Sequence, residues 1–437
     1  MEPQDHCLFV KELLSFIDHS PTAFHVADNL RKKLDKNSFS PFIPKEPLQT
    51  GDRRYAISGS SALFTFVIGQ DPLHGPIRLI GAHSDAPSLV IKPRGLFFSE
   101  GCILLNTEVY GSPILSTWFD RPLSLAGRVV LETDDPFTPE TRLVCLDVPR
   151  LIIPNAAIHM NRSVNEGQKI EPQKMMLPIL GLAGSKATDK LLEQILASDL
   201  SVDPEKISDY DLFLYDQTPS TFLGLEDAFI SAPRLDNLGL AYAAVTALVD
   251  TPPQSGINLV ACFDHEEVGS QTRQGAQSLF LRDLLEQIFL ALGGSRSDFL
   301  NCFDRAFLIS ADQAHAVHPN FSEFADATNR PRINGGPVIK RSANRSYTSD
   351  ADSCAVFKAL CQKAGVPCQY FANRSDMRGG STIGPIFTAN LPVRSVDVGN
   401  PIWAMHSIRE TGGVYDHAAM LAVFKTYFSS ESASGMG

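Results

Sequence analysis

Residues 257–269 have the sequence INLVACFDHEEVG, in which a largely apolar run ends in a polar group with three acidic residues. Such a run is typical of a strand buried on both faces of a sheet. Similar runs occur at residues 62–68, 77–81 and 306–310, with weaker candidates at 368–371 and 393–398. Helical patterns lie between these strands at residues 237–249, 277–292 and 351–364. Alternating strands and helices predict a mixed-sheet α/β fold with helices on both faces.

The middle of the chain has a different sequence pattern. From about residue 93 to 228, β-rich pieces such as Gly127–Leu131 and Arg142–Val148 alternate with polar, turn-rich segments. We therefore predict an inserted β-rich domain at residues 95–228, within an α/β domain formed by residues 1–94 and 229–437.

The two ends of the chain also carry predictions. The spacing of apolar residues predicts helix from Phe9 to Leu34, with Ser20 and Pro21 as a cap and first-turn pair. Residues 429–437 are small and polar, and we expect them to fray.

Composition excludes several classes of protein. The 437 residues carry a net charge of −11, without a strong basic cluster, so neither a nucleic acid nor an anionic membrane is an expected partner. No run of apolar residues is long enough for a transmembrane helix, and no signal peptide is expected. Scattered cysteines without a C-x-x-C pair are typical of reduced thiols. We predict a cytoplasmic protein.

Potential metal ligands occur close to the ends of the predicted strands. They are His83 and Asp85 after residues 77–81, residues 264–267 after 257–263, Asp312 and His315 after 306–310, His406 after the last candidate strand, and Asp236 before a helix. Ligands gather at the carboxyl ends of strands in open α/β sheets. Because several potential ligands follow the carboxyl ends of different predicted strands, we predict that they form a single shared site.

These residue types suit hydrolysis by two divalent metal ions. Two neighbouring ions need a bridging carboxylate, and each also needs histidine and carboxylate ligands. Glu266 and Glu267 can divide two tasks, because one can bind metal while the other takes a proton from the attacking water. His83 and Asp85 share one face of an extended segment, so Asp85 can hold the imidazole in its metal-binding tautomer. Mixed nitrogen and oxygen ligands favour Zn²⁺, with Co²⁺ or Mn²⁺ as alternatives.

Simpler interpretations exist for several of these residues. Asp236 alone would be an ordinary helix N-cap, and Glu266 and Glu267 alone would be a solvated acidic pair. The glycine-rich residues 379–385 suit either a substrate cradle or a flexible turn. We interpret the other histidines of interest as structural: His265, His318 and His417.

Rival catalytic motifs are missing from the sequence. Residues 265–269 lack the second histidine of H-E-x-x-H. The chain also has no G-x-S-x-G nucleophile elbow and no G-x-x-x-x-G-K-[ST] phosphate loop. Single-zinc helical proteases, serine hydrolases and P-loop nucleotide hydrolases therefore have no support.

Eight motifs in order along nearly the whole chain resemble the aspartyl aminopeptidases, which are dinuclear-metal exopeptidases. The motifs are residues 81–85 (GAHSD), 118–121 (WFDR), 157–162 (AIHMNR), 234–237 (RLDN), 264–270 (DHEEVGS), 310–315 (SADQAH), 336–340 (GPVIK) and 405–407 (MHS). Each motif alone is modest, but the ordered set is specific. The resemblance implies a metallopeptidase domain with an inserted dimerisation domain, and a closed dodecamer of identical subunits.

The resemblance also implies roles for individual residues. One metal ion would be held by His83 and Asp312 and the other by Glu267 and His406, with Asp236 as the bridge and Glu266 as the general base. Substrate contacts would come from His315, Lys340 and Tyr347, and His159 would complete the active site of a neighbouring subunit. The simpler interpretations are an exposed strand residue for Lys340 and a structural histidine in an apolar patch for His159.

The predicted substrates are peptides with an acidic N-terminal residue, Asp or Glu. A buried Lys340 ammonium would pair with an acidic side chain, whereas an apolar side chain would leave it unpaired at a cost of about 1–3 kcal/mol or more. The alternatives are a related two-metal aminopeptidase or deacylase with non-acidic specificity, and a non-catalytic scaffold that keeps the fold.

Overall fold

A computed structural model describes residues 3–184, 188–252 and 254–431 of the protein. The helices in these ranges are α1 Pro3–Asp18, α2 Ala23–Lys36, α3 Pro172–Met175, α4 Leu191–Leu200, α5 Leu235–Asp250, α6 Phe280–Ala291, α7 Arg296–Asn301, α8 Ala351–Ala364, α9 Ile383–Asn390 and α10 Val414–Ser429. The first strands are β1 Ser40–Pro41, β2 Arg53–Ser58, β3 Ala62–Ile68, β4 Ile77–His83, β5 Ser88–Ser99, β6 Cys102–Tyr110, β7 Leu123–Leu131, β8 Glu140–Cys145, β9 Ile179–Leu182 and β10 Ile207–Asp216. The remaining strands are β11 Thr221–Leu223, β12 Phe229–Ala232, β13 Ile257–Phe263, β14 Ala306–Ala311, β15 Ala314–His315, β16 Val338–Lys340, β17 Gln369–Phe371, β18 Arg394–Gly399, β19 Pro401–Trp403 and β20 Glu410–Gly413.

The chain divides into two compact units. The first unit lies within residues 1–85, 220–405 and 410–437, and the second comprises residues 86–219 and 406–409. These divisions precede the predicted ones at 94/95 and 228/229. The difference arises because β5 belongs to the sheet of the second unit, whereas β11 pairs with β12 in the first.

The first unit is built on a mixed sheet of nine strands in the described residues. Their order is β1-β2-β3-β13-β4-β14-β18-β16-β17. The central strands β13, β4, β14 and β18 are parallel, whereas β3 and β16 run antiparallel to their neighbours β13 and β18. Strands β4 and β13 are buried along their whole length, as expected for strands with both faces covered. The predicted mixed α/β fold is confirmed.

Two apolar layers cover the opposite faces of this sheet. Alternate residues of the central strands point to opposite sides, so Ile80, Val260 and Ile309 pack with helices α1, α2, α5, α8 and α10. Their neighbours Leu79 and Leu259 pack instead with α6, α7 and α9. A smaller sheet in the same unit has the order β11-β12-β20-β19-β15.

The second unit contains an antiparallel sheet with the order β8-β7-β10-β5-β6-β9. Side chains on one face of β7 and β10, among them Leu125, Val129 and Leu212, form its apolar core with Trp118. The residues after β8 and after β9 connect this sheet to short helices, including α4.

The structure corrects two local predictions. The N-terminal helical region is two helices, α1 and α2, because the chain leaves helical geometry after Asp18, and the N-cap of α2 is Thr22 rather than Ser20. The N-cap of α5 is Arg234, and Asp236 and Asn237 in its first turn have non-helical backbone angles. The fraying predicted for residues 429–437 falls largely outside the described ranges.

The eight cysteines all lie within the described ranges, and all of them are free thiols. Across those same ranges, the helices lack the combination of length and apolar character that a bilayer span requires.

Candidate metal centre

Strand register brings the predicted ligands to one edge of the nine-stranded sheet. Phe263 of β13 pairs with His83 of β4, so residues 264–267 emerge beside residues 83–85. On the other side of β4, Ser310 of β14 pairs with Gly81, which brings Asp312 level with His83. Because these neighbouring strands are parallel, their carboxyl ends meet at one edge.

His83 lies at the centre of this cluster and is 1% exposed. Its Nε2 atom is 3.4 Å from Oδ1 of Asp236 and 3.5 Å from Oδ1 of Asp312. Its Nδ1 atom is 3.4 Å from Oδ1 of Asp85 and 3.1 Å from the backbone oxygen of the same residue. Burial opposes a positive charge on the ring, but these three carboxylates raise the pKa of His83 well above its ordinary value.

Asp85 joins the ends of β4 and β13. Its two carboxylate oxygens accept hydrogen bonds from the backbone N–H groups of Glu266 and Glu267, each at 3.1 Å. The carboxylate therefore orients the segment that carries both glutamates as well as the imidazole of His83. The sequence predicted only the contact with His83.

Asp236 reaches the cluster from the start of α5. The peptide bond between Asp236 and Asn237 is cis. The backbone N–H of Asp236 donates to Oε2 of Glu410 at 2.9 Å, and Glu410 is only 2% exposed. Sequence reasoning did not identify Glu410, because it lies in β20, far along the chain, without a recognisable spacing to Asp236.

Asp312 divides its two oxygens between different partners. One oxygen faces His83, and the other accepts a hydrogen bond from Nζ of Lys340 at 3.0 Å. Lys340 is 3% exposed, so the interpretation of this residue as an exposed strand lysine is wrong. Burial alone would raise the pKa of Asp312, but Lys340 and His83 hold that pKa well below its ordinary value.

Two groups of side chains that lie entirely within the first unit have the spacing of metal ligands. His83, Asp236 and Asp312 each offer one ligand atom, and these atoms all lie within 4.8 Å of one another. The same holds for His83, Glu266 and Glu267. One imidazole and several carboxylates form a mixed nitrogen and oxygen donor set, which suits zinc.

The charge balance of the cluster also fits bound cations. Burial, followed by the charge of Asp236, raises the pKa of Glu267, and burial raises the pKa of Glu266 to about 8. Burial also raises the pKa of Asp264 to about 6, and the charge of Asp85 adds to this effect. Buried carboxylates need a compensating charge. His83 and Lys340 provide less positive charge than the cluster requires, and divalent ions would supply the remainder.

This charge balance predicts how pH affects the stability of metal-free protein. The folded-state pKa of Glu266, about 8, is above its ordinary value of 4.5. Below pH 4.5 the Glu266 carboxyl is protonated in both the folded and the unfolded protein. Between pH 4.5 and about pH 8 it ionises readily only in the unfolded protein, which favours unfolding. Stability should therefore fall as pH rises. We expect the melting temperature of chelator-treated protein to decrease from about pH 5 to pH 8, measured by differential scanning fluorimetry.

The matched control for this experiment is metal-loaded protein in the same buffers. Bound cations stabilise the ionised carboxylates, so its melting temperature should decrease less over the same range. A melting temperature of metal-free protein that rises with pH would contradict the prediction.

The predicted substrate-contact residues of the first unit lie beside Lys340. The Lys340 ammonium is 5.5 Å from the centroid of the Tyr347 ring, and Tyr347 is buried. Phe371 packs edge-on against both Tyr347, at 6.4 Å between centroids, and His315, at 5.7 Å. His315 itself is exposed. Of these side chains, Lys340 contacts Asp312 directly.

Two of the predicted site residues belong to the second unit. His406 packs there, with its Nδ1 atom 3.0 Å from the backbone oxygen of Ser112 and its own carbonyl accepting from the N–H of Ile114. His159 is exposed, as are its neighbours Ile158 and Met160. The roles of His406 and His159 remain predictions from the sequence.

Comparisons with known proteins agree with this architecture. The family model for the Aminopeptidase I zinc metalloproteases (M18) matches residues 16–428. A probable M18 family aminopeptidase 2 from Clostridium novyi (strain NT) is 49% identical over 427 residues, covering 96% of this chain and 98% of the relative.

Solved structures are similar over the same extent. The chain in a cryo-EM structure of the Ape4 and Nbr1 complex is 34% identical with a TM-score of 0.93, covering 97% of this chain and 86% of that one. The mApe1 dodecamer of S. cerevisiae is 25% identical with a TM-score of 0.84, and 97% of each chain is covered.

A mixed α/β sheet with a buried cluster of imidazole and carboxylates at its carboxyl edge is the architecture of a metal-dependent hydrolase. Within that class, the chain belongs to the M18 family and is a metallo-aminopeptidase. The resemblance to aspartyl aminopeptidases is thereby confirmed at the level of the family.

Proposed function

We propose that this M18 metallo-aminopeptidase removes acidic residues, Asp or Glu, from the N-termini of peptides. The observation that carries the proposal is the buried ammonium of Lys340, which lies 3.0 Å from Asp312 at the edge of the metal centre. A cation fixed at this position favours a negatively charged substrate side chain over an apolar one.

Lys340 keeps the capacity to bind a substrate carboxylate. An ammonium group carries three N–H donors. Within the described ranges, Lys340 Nζ donates one hydrogen bond, to Asp312. Burial opposes the charge of Lys340, but Asp312 and the neighbouring acidic groups raise its pKa above the ordinary value. The group therefore remains charged at neutral pH, and its remaining donors can pair with an acidic side chain.

The surroundings of Lys340 support a substrate pocket. The Tyr347 ring lies next to the Lys340 ammonium, and Tyr347 and His315 both pack against Phe371. An aromatic ring and an imidazole beside a buried cation can enclose a short acidic side chain and orient its carboxylate. We therefore assign His315, Lys340 and Tyr347 to substrate binding.

The proposed cofactors are two divalent metal ions, with Zn²⁺ favoured by the description of the family and Co²⁺ or Mn²⁺ as alternatives. His83 and Asp312 would hold one ion, Glu267 and His406 would hold the other, and Asp236 would bridge them. The grouping of His83, Asp236 and Asp312 within 4.8 Å supports the first of these assignments.

Glu266 is the proposed general base. Bound divalent ions would polarise the scissile carbonyl and lower the pKa of the attacking water. Glu266 then accepts the proton of that water and passes it to the leaving amine. Asp85 orients Glu266 through the hydrogen bond from its backbone N–H.

We also propose a homo-oligomer of the dodecameric kind, in the cytoplasm. The structural relative from S. cerevisiae is described as a dodecamer. The exposed position of His159, flanked by exposed Ile158 and Met160, supports its use at the active site of a neighbouring subunit. The second unit, or inserted domain, would then serve in assembly.

Steady-state kinetics on N-terminal Asp, Glu, Leu and Ala amides test the acidic preference. Wild-type protein should have its highest kcat/KM on Asp or Glu. Replacement of Lys340 with Met removes the charge at similar length, and we expect kcat/KM for the Asp substrate to fall by about 10- to 100-fold relative to the Leu substrate. Highest activity on Leu or Ala would favour the alternative function, a two-metal aminopeptidase or deacylase with non-acidic specificity.

The matched control is Arg341→Met, which removes the adjacent cation, exposed at the end of β16. This variant should keep the wild-type preference, because the loss of an exposed charge changes substrate binding little. Equal loss of selectivity in both variants would show that overall charge, rather than Lys340, determines specificity.

A further inference from the structure

A buried carboxylate next to the proposed substrate pocket has no role in the chemistry described so far. Asp397 lies in β18, the strand between β14 and β16, and is fully buried. Its Oδ1 atom accepts hydrogen bonds from Oγ of Ser310 and Oγ1 of Thr382, each at 2.6 Å. Its Oδ2 atom accepts from the backbone N–H of Thr348 at 2.6 Å and from Oγ1 of the same residue at 2.8 Å.

These donors come from three separate segments of the chain. Ser310 precedes Asp312 by two residues in the chain, and Thr348 directly follows Tyr347. Thr382 is the N-cap of α9 and lies within the glycine-rich residues 379–385, the third segment. One carboxylate therefore joins the strand end that carries Asp312, the segment that carries Tyr347, and a loop whose role the sequence left open.

The third segment approaches the carboxylate closely. A Cβ atom at Gly384 would lie 2.6 Å from Oδ2 of Asp397, so only glycine allows α9 to begin so near to β18. A Cβ atom at Gly379 would lie 2.1 Å from the side-chain amide nitrogen of Asn373. The glycine-rich residues are thus packed closely against Asn373 at one end and Asp397 at the other.

We propose that Asp397 is a positioning residue for the acidic-substrate pocket. By accepting hydrogen bonds from all three segments, it fixes the glycine-rich segment relative to Tyr347, whose ring lies beside the Lys340 ammonium. The proposal rests on the proposed function, because it assigns this pocket to the acidic side chain of the substrate. Asp397 acts through hydrogen bonding and does not touch the substrate.

Two variants at Asp397 separate hydrogen bonding from charge. In Asp397→Asn, the carbonyl oxygen can still accept from the N–H of Thr348, and the amide can donate to the hydroxyls of Ser310 and Thr382, which can reverse their roles. In Asp397→Ala, all of these partners are lost. We expect Asn to keep KM for the Asp substrate within about 3-fold of wild type and Ala to raise it about 10- to 100-fold.

A milder variant covers the case in which Asp397→Ala does not fold. Thr382→Val keeps the shape of the side chain and removes the hydrogen bond to Asp397, together with the weaker N-cap hydrogen bond from the backbone N–H of Gly384. We expect KM for the Asp substrate to rise about 3- to 10-fold, with kcat changed less. The matched control is Thr388→Val on the same helix, whose hydroxyl bonds only to carbonyls of α9. This control should keep the wild-type KM.

The readouts are KM and kcat on Asp- and Leu-terminal amides, metal content by elemental analysis, and melting temperature. A positioning role predicts that the KM effect is larger on the Asp substrate, while metal content stays at the wild-type value. Equal effects on both substrates, a Thr382→Val variant that matches Thr388→Val, or loss of metal in Asp397→Ala would each overturn the proposal. If the wild type itself does not prefer Asp, the proposed function fails. The change in KM of each variant on the substrate that the wild type prefers still tests the positioning role of Asp397.

Discussion

Replacement of Glu266 with Gln should lower kcat by about 10²- to 10⁴-fold, the usual contribution of general acid–base catalysis. Gln has the same shape as Glu, but it does not accept a proton at neutral pH. The hydrogen bond that orients this residue comes from its backbone N–H to Asp85, and it survives the substitution. Hydrolysis of an Asp-terminal amide and metal content by elemental analysis are the two measurements, and metal content should stay close to that of the wild type.

The control for this variant is Glu286→Gln. Glu286 is a partly buried glutamate of α6 in the same unit, 3.5 Å from Arg296, so its substitution removes an acidic side chain away from the metal centre. It should keep wild-type kcat. If Glu266→Gln remained as active as this control, Glu266 would not be the base.

Replacement of Asp236 with Ala should remove bound metal and reduce hydrolysis by at least about 10⁴-fold, the upper end of the range expected for Glu266→Gln. Asp236 lies 3.4 Å from His83, and its carboxylate is the proposed bridge between both ions. Without it, neither ion keeps a complete ligand set. Chelator treatment of the wild-type protein should cause the same loss of activity, and added Zn²⁺ should restore the wild type but not the variant.

Asp416→Asn is the matched control for the loss of a buried carboxylate. Asp416 accepts hydrogen bonds from the backbone N–H groups of Asn334 at 2.6 Å and Gly336 at 2.8 Å, and it belongs to none of the groups of potential metal ligands in the described residues. It should keep the wild-type metal content. An Asp236→Ala variant that retained two ions per subunit would refute the bridging role.

The strands of the α/β unit were predictable because their signal is local. The runs at 77–81, 257–263 and 306–310 are short and apolar, and strands with these residues form the centre of the sheet. Helix α8 coincides with the predicted residues 351–364. The N-terminal helical region was predicted less well, since the break between α1 and α2 follows Asp18 rather than the cap pair expected from Ser20 and Pro21.

The candidate metal centre was predictable in part for the same reason. Residues directly after parallel strands must lie at one edge of the sheet, so the amino-acid order alone assigns His83, Glu266, Glu267 and Asp312 to one place. Asp236 was ambiguous, because an acidic residue at the start of a helix is also a good N-cap. The structure places Asp236 in non-helical backbone geometry at the start of α5, 3.4 Å from His83.

By itself, the sequence determined the class of fold, the family and a set of candidate metal ligands, because these depend on apolar periodicity and on motifs of a few residues. The tertiary structure decided which distant residues meet. Lys340 reaches Asp312, Glu410 reaches Asp236, and Asp397 joins Ser310, Thr348 and Thr382. These contacts depend on the order of strands that are not consecutive in the chain, such as β18 between β14 and β16. That order is set by the packing of the whole sheet and its helices, and no local pattern encodes it.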